Sequence, residues 1–184
     1  MKKTYISGQI TGIETEAPLL FEAAEKKLKK LGFETINPIT INHDHHDKSW
    51  VNYMREDIKA LCNCDNIYIL SNWVSSRGAI IEHTIASYLG LQVFYEIDFE
   101  KWYKNHYTKS DSLLYTQNDT AIFQQNHLIW MKDQLLPLRK EIKELLDATS
   151  IELPHNYQDN RRDVVKHYVA LVLGIEIIYT KPKF

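Results

Sequence analysis

Cysteine, glycine and proline are scarce in this 184-residue chain, at two, six and five residues. The two cysteines, Cys62 and Cys64, stand one residue apart. That spacing is poor for a mutual disulfide and too sparse for a zinc site, so they read as reduced thiols of a cytoplasmic protein. An excess of either charge is also missing: 22 basic residues face 24 acidic ones, and the pI is near 6.4. Bulk charge therefore gives no argument for nucleic acid as a partner. No apolar run approaches the roughly 20 residues that a membrane span requires. The start is basic, but the apolar stretch behind it is too short for a signal peptide. No internal repeat and no low-complexity segment is visible. What is present, 44% apolar and 25% charged residues, is the composition of one globular domain with room for an appendage.

Residues 1–97 read as alternating strands and helices. Thr4-Tyr5-Ile6-Ser7 is a short β-prone run closed by Gly8. Ala17 to Leu31 carries Leu20, Phe21, Ala24, Leu28 and Leu31 at helical spacing, and Gly32 ends it. Phe33 to Asn37 is a second strand stopped by Pro38. Ser49 is the expected N-cap of a helix running to Leu61, with Trp50, Tyr53, Met54 and Ile58 as its apolar positions. Asn66 to Leu70 has the apolar character of a strand buried on both faces, Gly78 to Leu89 is a helix, and Leu91 to Tyr95 is a fourth strand. This alternation predicts a flavodoxin-like α/β domain, a parallel sheet of four or five strands with helices on both faces. Residues 98–184 read as a mainly helical extension: a long helix from Ala121 to Leu146 that Pro137 kinks or splits, a loop from Pro154 to Asp159, and a helix from Arg161 to Leu173. Ile175 to Tyr179 fits either a short strand or a continuation of that helix.

In an open parallel sheet, ligands bind beyond the carboxyl ends of the strands. That rule nominates the first loop, Ser7-Gly8-Gln9-Ile10-Thr11-Gly12, and the third, Ser71 to Gly78. The first loop is neither a Walker A motif nor a dinucleotide fingerprint. The third leads into Ser75-Ser76-Arg77-Gly78-Ala79-Ile80-Ile81-Glu82, where Glu82 stands among Ile80, Ile81 and Ile85, surroundings that raise a carboxyl pKa. The plainer alternative is a solvated glutamate that favours the helix dipole.

Five pieces in order, Tyr5-Ile6-Ser7-Gly8-Gln9-Ile10-Thr11-Gly12, Asn37-Pro38, Tyr53-Met54-Arg55-Glu56-Asp57, Cys64-Asp65-Asn66-Ile67-Tyr68 and Ser76-Arg77-Gly78-Ala79-Ile80-Ile81-Glu82, resemble the nucleoside 2-deoxyribosyltransferase superfamily. Among its members the chain is most similar to small phage and bacterial proteins and to the 2′-deoxynucleoside 5′-phosphate N-hydrolases. The resemblance covers residues 1–97. It implies cleavage of an N-glycosidic bond, by hydrolysis or base exchange, with Glu82 attacking C1′ of the sugar to leave a glycosyl ester. It implies that Asp57 orients the nucleophile or handles protons and the leaving base, and that the Tyr5 hydroxyl lies near the nucleophile. Substrate contacts fall on Ser7, Gly8, Gln9, Ile10, Thr11, Ser76, Arg77 and Gly78. The chemistry needs neither metal nor cofactor. Two departures bear on the substrate. Ser76 stands where the transferases carry an aspartate and the nucleotide hydrolases a phosphate-binding serine, which favours a nucleotide over a nucleoside. Thr11 stands where the hydrolases place an arginine, leaving Arg77 or Arg55 as substitutes.

Other features have blander readings. His43-Asp44-His45-His46-Asp47 offers metal-ligand types, yet reads as a solvated loop. Trp73 is the preferred candidate to stack on a base, ahead of Trp50, Trp102 and Trp130, with burial in a core or interface as its alternative. Asp65 ends a helix and begins a strand. The basic face from Arg161 to Lys166 reads as solvated. The expected partners are a small nucleotide or nucleoside and, by resemblance, further copies of the chain in a homo-oligomer. The alternatives left open are a binding module that holds a nucleotide or nucleotide-derived signal without turnover, and a glycohydrolase acting on NAD.

Overall fold

The structure, a computed structural model, describes residues 2–41, 49–99 and 137–180. Its first half alternates β1 (Lys3–Ser7), α1 (Ala17–Lys30), β2 (Glu34–Ile36), α2 (Trp50–Leu61), β3 (Asn66–Ile69), α3 (Arg77–Tyr88) and β4 (Gln92–Tyr95). The four strands form one parallel sheet in the order β2-β1-β3-β4. The chain crosses from β2 back over β1 to reach β3, so β1 and β3 flank the point where strand order reverses, which is where such sheets bind ligands.

Side-chain alternation sorts the core. Tyr5, Ile67 and Ile69 face α2 and α3, whereas Ile6, Tyr68 and Phe94 face α1 and its buried residues Phe21, Ala24 and Leu28. Every residue of β3 is buried, as a central parallel strand with helices on both faces requires. Leu20, expected on the inner stripe of α1, is 44% exposed, while Ala17 takes its place in the core. Ser49 caps α2 by accepting from the Asn52 amide. Asp65 accepts the Lys3 amide at 2.9 Å, tying the start of β3 to β1 in the structural role expected of it. Burial pushes the thiols of Cys62 and Cys64 up to about 11 and about 12, which keeps both protonated near neutral pH.

The mainly helical reading of the C-terminal part is corrected. Residues 137–146 form a helix (α4), but they lead into β5 (Ser150–Pro154), α5 (Arg161–Leu173) and β6 (Glu176–Thr180), and β5 pairs with β6 in parallel. The Ser-Ile-Glu-Leu-Pro run of β5 has only two apolar residues in alternation and ends on proline, too little pattern to read as a strand. Gly174, at φ +67°, closes α5 in the left-handed conformation, which separates Ile175 to Tyr179 from the helix and settles them as a strand. Residues 121–136, which include most of the long predicted helix, lie outside the described residues. Among the described residues no helix is long and apolar enough to cross a membrane.

One hydrophobic cluster joins the two halves: Leu138, Ile142, Val165 and Val169 share it with Ile58, Leu61, Ile81 and Ile85. Arg139 Nη1 also donates to the Cys64 carbonyl at 2.9 Å. Ile142→Ala is expected to cost about 2–5 kcal/mol. Through this shared core it should lower hydrogen-exchange protection in β1 and β3 as well as in α4. Unchanged protection in β1 and β3 would mean that the halves unfold separately.

Candidate active site

Tyr5 and Ser7 are two residues apart on β1, so both side chains leave the same face of the strand. Glu82 lies in the second turn of α3, the helix that packs over that face. Tyr5 Oη donates to Glu82 Oε1 at 2.7 Å, and Ser7 Oγ donates to Oε2 at 2.6 Å. The carboxyl is thus fixed through both oxygens while the residue is only 5% exposed, which rules out the solvated alternative. Burial pushes Glu82 up from 4.5 to about 7, with the Ser7 and Tyr5 hydrogen bonds acting in the opposite direction.

Asp57, on α2, also hydrogen-bonds Tyr5 and is nine-tenths buried. Burial, then the nearby Glu82 charge, push its carboxyl well above the usual range. Two carboxyls around one phenol make simultaneous ionisation costly, and together they hold a proton near neutral pH. Tyr5 itself is driven well above its ordinary value, first by burial and then by the two carboxylates, so it remains a donor.

Glu82 and Asp57 line a cavity of about 800 Å³, within the size range of small-molecule sites. Its walls bring together Gly8, Ile10 and Thr11 from the first loop with Ser76, Arg77 and Gly78 from the start of α3. Ser76 caps α3 by accepting the Ala79 amide at 3.2 Å, and the Arg77 guanidinium lies 4.4 Å over the Trp50 ring. A helix N-terminus with a neighbouring guanidinium suits an anionic group. Gly8 is required by packing: a Cβ there would stand 2.7 Å from Leu70 Cδ1 and 2.9 Å from Leu70 Cβ. The next residue, Gln9, donates its amide to Asn72 Oδ1 at 3.1 Å, which ties the first loop to the third.

Residues 2–95, which carry this site, match the sequence model described as "Domain of unknown function (DUF4406)". The chain belongs to the DUF4406 family. No curated protein matches it, and no solved structure does. The matched span contains Tyr5, Ser7, Asp57 and Glu82, so the whole carboxylate cluster falls within the DUF4406 domain.

Some predicted site residues lie elsewhere. Trp73 is not on the cavity wall; its ring sits 4.7 Å from His83 and 6.2 Å from Tyr95. Among the described residues Trp50 is the tryptophan on the cavity wall. Ser7 reaches Glu82 rather than the cavity wall, and Gln9 turns its side chain to the Thr11 carbonyl. Arg77 lines the cavity and Arg55 does not. The His43–Asp47 cluster, Trp102 and Trp130 lie outside the described residues. Among the described residues no group of three or more His, Cys, Asp and Glu side chains gathers as a metal site. The sequence reading missed Glu14, Tyr53 and Met54 as cavity residues. For Tyr53 and Met54 the signal was available: they precede Asp57 by four and three residues, one helical turn on the same face.

Two outcomes follow from this packing. Folded Glu82 holds its proton to higher pH than unfolded Glu82. Its stabilising contribution is therefore complete below pH 4.5 and is lost as pH rises through about 7, where ionisation costs about 3 kcal/mol. Glu82→Gln should accordingly melt several degrees above wild type at pH 8, with the gap closing at pH 5. Equal melting temperatures at pH 8 would contradict the burial of an ionisable carboxyl. Gly8→Ala should lower the melting temperature and weaken any cavity ligand, because the first loop must move off Leu70 to admit the methyl group. A variant that melts and binds like wild type would show that this contact is not tight.

Proposed function

We propose that the cavity cleaves the N-glycosidic bond of a nucleotide or nucleoside, with Glu82 as nucleophile. The observation that carries this reading is the buried Glu82 carboxyl held through both oxygens at the cavity wall, with a second raised carboxyl, Asp57, sharing the Tyr5 hydroxyl. The resemblance to nucleoside 2-deoxyribosyltransferases and 2′-deoxynucleoside 5′-phosphate N-hydrolases supports the same assignment.

The ionised Glu82 oxygen forms a bond to the anomeric carbon as the bond from that carbon to the base nitrogen breaks. The electron pair of the broken bond leaves on the base. Asp57 in its protonated form supplies the proton that neutralises the departing base, and is left as a carboxylate. That carboxylate then takes a proton from water, whose oxygen attacks the anomeric carbon, and Glu82 is released as the carboxylate. Attack by a second base in place of water completes an exchange. The Tyr5 and Ser7 hydroxyls hold Glu82 in line throughout and give up part of their hydrogen bonding as its charge is consumed. The start of α3, with Ser76 and Arg77, receives an anionic 5′ group, which favours a nucleotide over a free nucleoside.

Activity on this scheme needs Glu82 ionised and Asp57 protonated. The rate kcat/KM should rise with pH through about 7 and fall again at higher pH as the pair loses its remaining proton. Purified protein incubated with deoxynucleoside monophosphates, nucleosides and NAD, followed by chromatography for free base, tests the scheme directly. Base released by wild type and abolished in Glu82→Ala is the expected result, and the substrate that reacts names the class. Ligand-induced thermal stabilisation with no base released from any substrate would overturn catalysis in favour of a binding module.

A further inference from the structure

Residues 138–180 repeat residues 54–96 at a constant offset of 84 positions, a relation that overturns the reading of the chain as free of repeats. Arg55, Ile58, Lys59 and Leu61 of α2 recur as Arg139, Ile142, Lys143 and Leu145 of α4. Ile67 of β3 recurs as Ile151 of β5. His83, Ala86, Leu89 and Gly90 recur as His167, Ala170, Leu173 and Gly174, and Tyr95 as Tyr179.

The structure keeps the same register. Each strand is followed by a single 3₁₀ turn, Trp73–Ser75 or Tyr157–Asp159, and then by a helix capped by a polar side chain, Ser76 or Asn160. His83 hydrogen-bonds Tyr95 at 2.7 Å and His167 hydrogen-bonds Tyr179 at 2.9 Å. Trp73 lies 4.7 Å from His83, and Tyr157 lies 4.2 Å from His167. Gly90 and Gly174 end their helices at φ +65° and +67°. The amide of Gln92 reaches the Asp65 carbonyl at 3.1 Å, and that of Glu176 reaches the Thr149 carbonyl at 3.1 Å.

The positions that carry the proposed chemistry differ. Asp57 corresponds to Glu141 and Glu82 to Lys166, so two carboxyls in the first copy become a carboxylate and an ammonium in the second. These partners face each other again: Lys166 Nζ lies 3.6 Å from Glu141 and 2.7 Å from Asp163, and Arg162, in the place of Gly78, also pairs with Glu141. Among the described residues β5 pairs only with β6, so no strand stands beside it as β1, with Tyr5 and Ser7, stands beside β3.

We infer that residues 138–180 are a degenerate second copy of the α2–β3–α3–β4 unit, in which the reactive carboxyl pair has become an ion pair and the unit docks on the first copy instead of binding substrate. Its partner surface is the α2–α3 layer: α5 shares one buried cluster with both helices, Arg139 donates to the Cys64 carbonyl, and Lys143 pairs with Asn63. This inference rests on the proposed function only in calling Asp57 and Glu82 reactive.

The test uses the full chain. Lys166→Glu restores a carboxyl pair facing Glu141 and Asp163, with Arg162 the remaining cation, whereas Lys166→Met only removes the charge. In thermal melts at pH 8 and pH 5, Lys166→Glu should fall several degrees below Lys166→Met at pH 8 and recover part of that loss at pH 5. Equal deficits in the two variants, or a Lys166→Glu deficit independent of pH, would overturn the assigned pairing. Glu141→Gln should leave base release and its pH profile at wild-type values. Loss of release in a folded Glu141→Gln protein would show that the second copy is not silent. The melts decide the pairing whether or not any base is released, so failure of the proposed activity is separately visible.

Discussion

The structure is organised around a carboxyl group kept away from water. An ionised carboxylate in that position is expensive unless donors replace its hydration, and here the Tyr5 and Ser7 hydroxyls reach one oxygen each. Those donors come from β1, whereas Glu82 comes from the helix after β3, so the arrangement depends on the parallel register that sets Tyr5 against Ile67 and Ser7 against Ile69. It depends equally on a chain that can turn out of β1 without a side chain at Gly8, because Leu70 fills that space. Asp57 adds repulsion to the same enclosure. A fold optimised for stability alone would have no use for two carboxyls there, and that tension is the strongest physical sign of a reactive centre.

Much of this was legible in the residues. The strand and helix order of the first half follows from periodicity, and Glu82 was visible as a carboxylate in apolar company, although only the resemblance set it above a solvated helix glutamate. The role of Ser7 was not legible. A serine at the end of a strand before a glycine-containing loop reads as a ligand contact, and only the packing of α3 over β1 turns its hydroxyl onto Glu82. The tryptophans show the same limit. Trp73 occupies a site loop and Trp50 opens a helix, yet the three-dimensional arrangement sends Trp73 to His83 and brings Trp50 beneath Arg77. Loop membership says which residues are near a site, but not which way they face.

The repeat escaped notice for a related reason. Its shared residues are scattered single positions and adjacent pairs: Ile58-Lys59, a helix histidine, Leu89-Gly90, a strand tyrosine. None runs longer than two residues, and β5 carries Glu152 where β3 carries the buried Tyr68. That exchange has a physical cause. Tyr68 lies beneath α1 in a covered sheet, whereas β5 belongs to a two-stranded sheet whose residues are mostly exposed or half-buried. A strand covered on one face needs apolar residues only at alternate positions, so the continuous apolar run of β3 does not recur in β5.

Two copies of one unit in a single chain serve as an internal control on which features belong to folding and which to the site. The histidine–tyrosine pair, the aromatic ring on the histidine, the polar helix cap and the left-handed glycine occur in both copies, including the one without a carboxyl pair. They are therefore requirements of the strand–turn–helix–strand unit, and Ser76 has a capping duty before it has any ligand duty. Tyr5, Ser7 and Gly8 have no counterpart among the described residues, while Gly78 and Glu82 are replaced by Arg162 and Lys166. The second copy places the cations of Arg162 and Lys166 beside Glu141, an opposite charge for its carboxylate. The first copy sets its carboxyls around the Tyr5 hydroxyl and opens a cavity beside them instead. The scaffold tolerates either solution, so the carboxyl pair is a property of the site and not a demand of the fold.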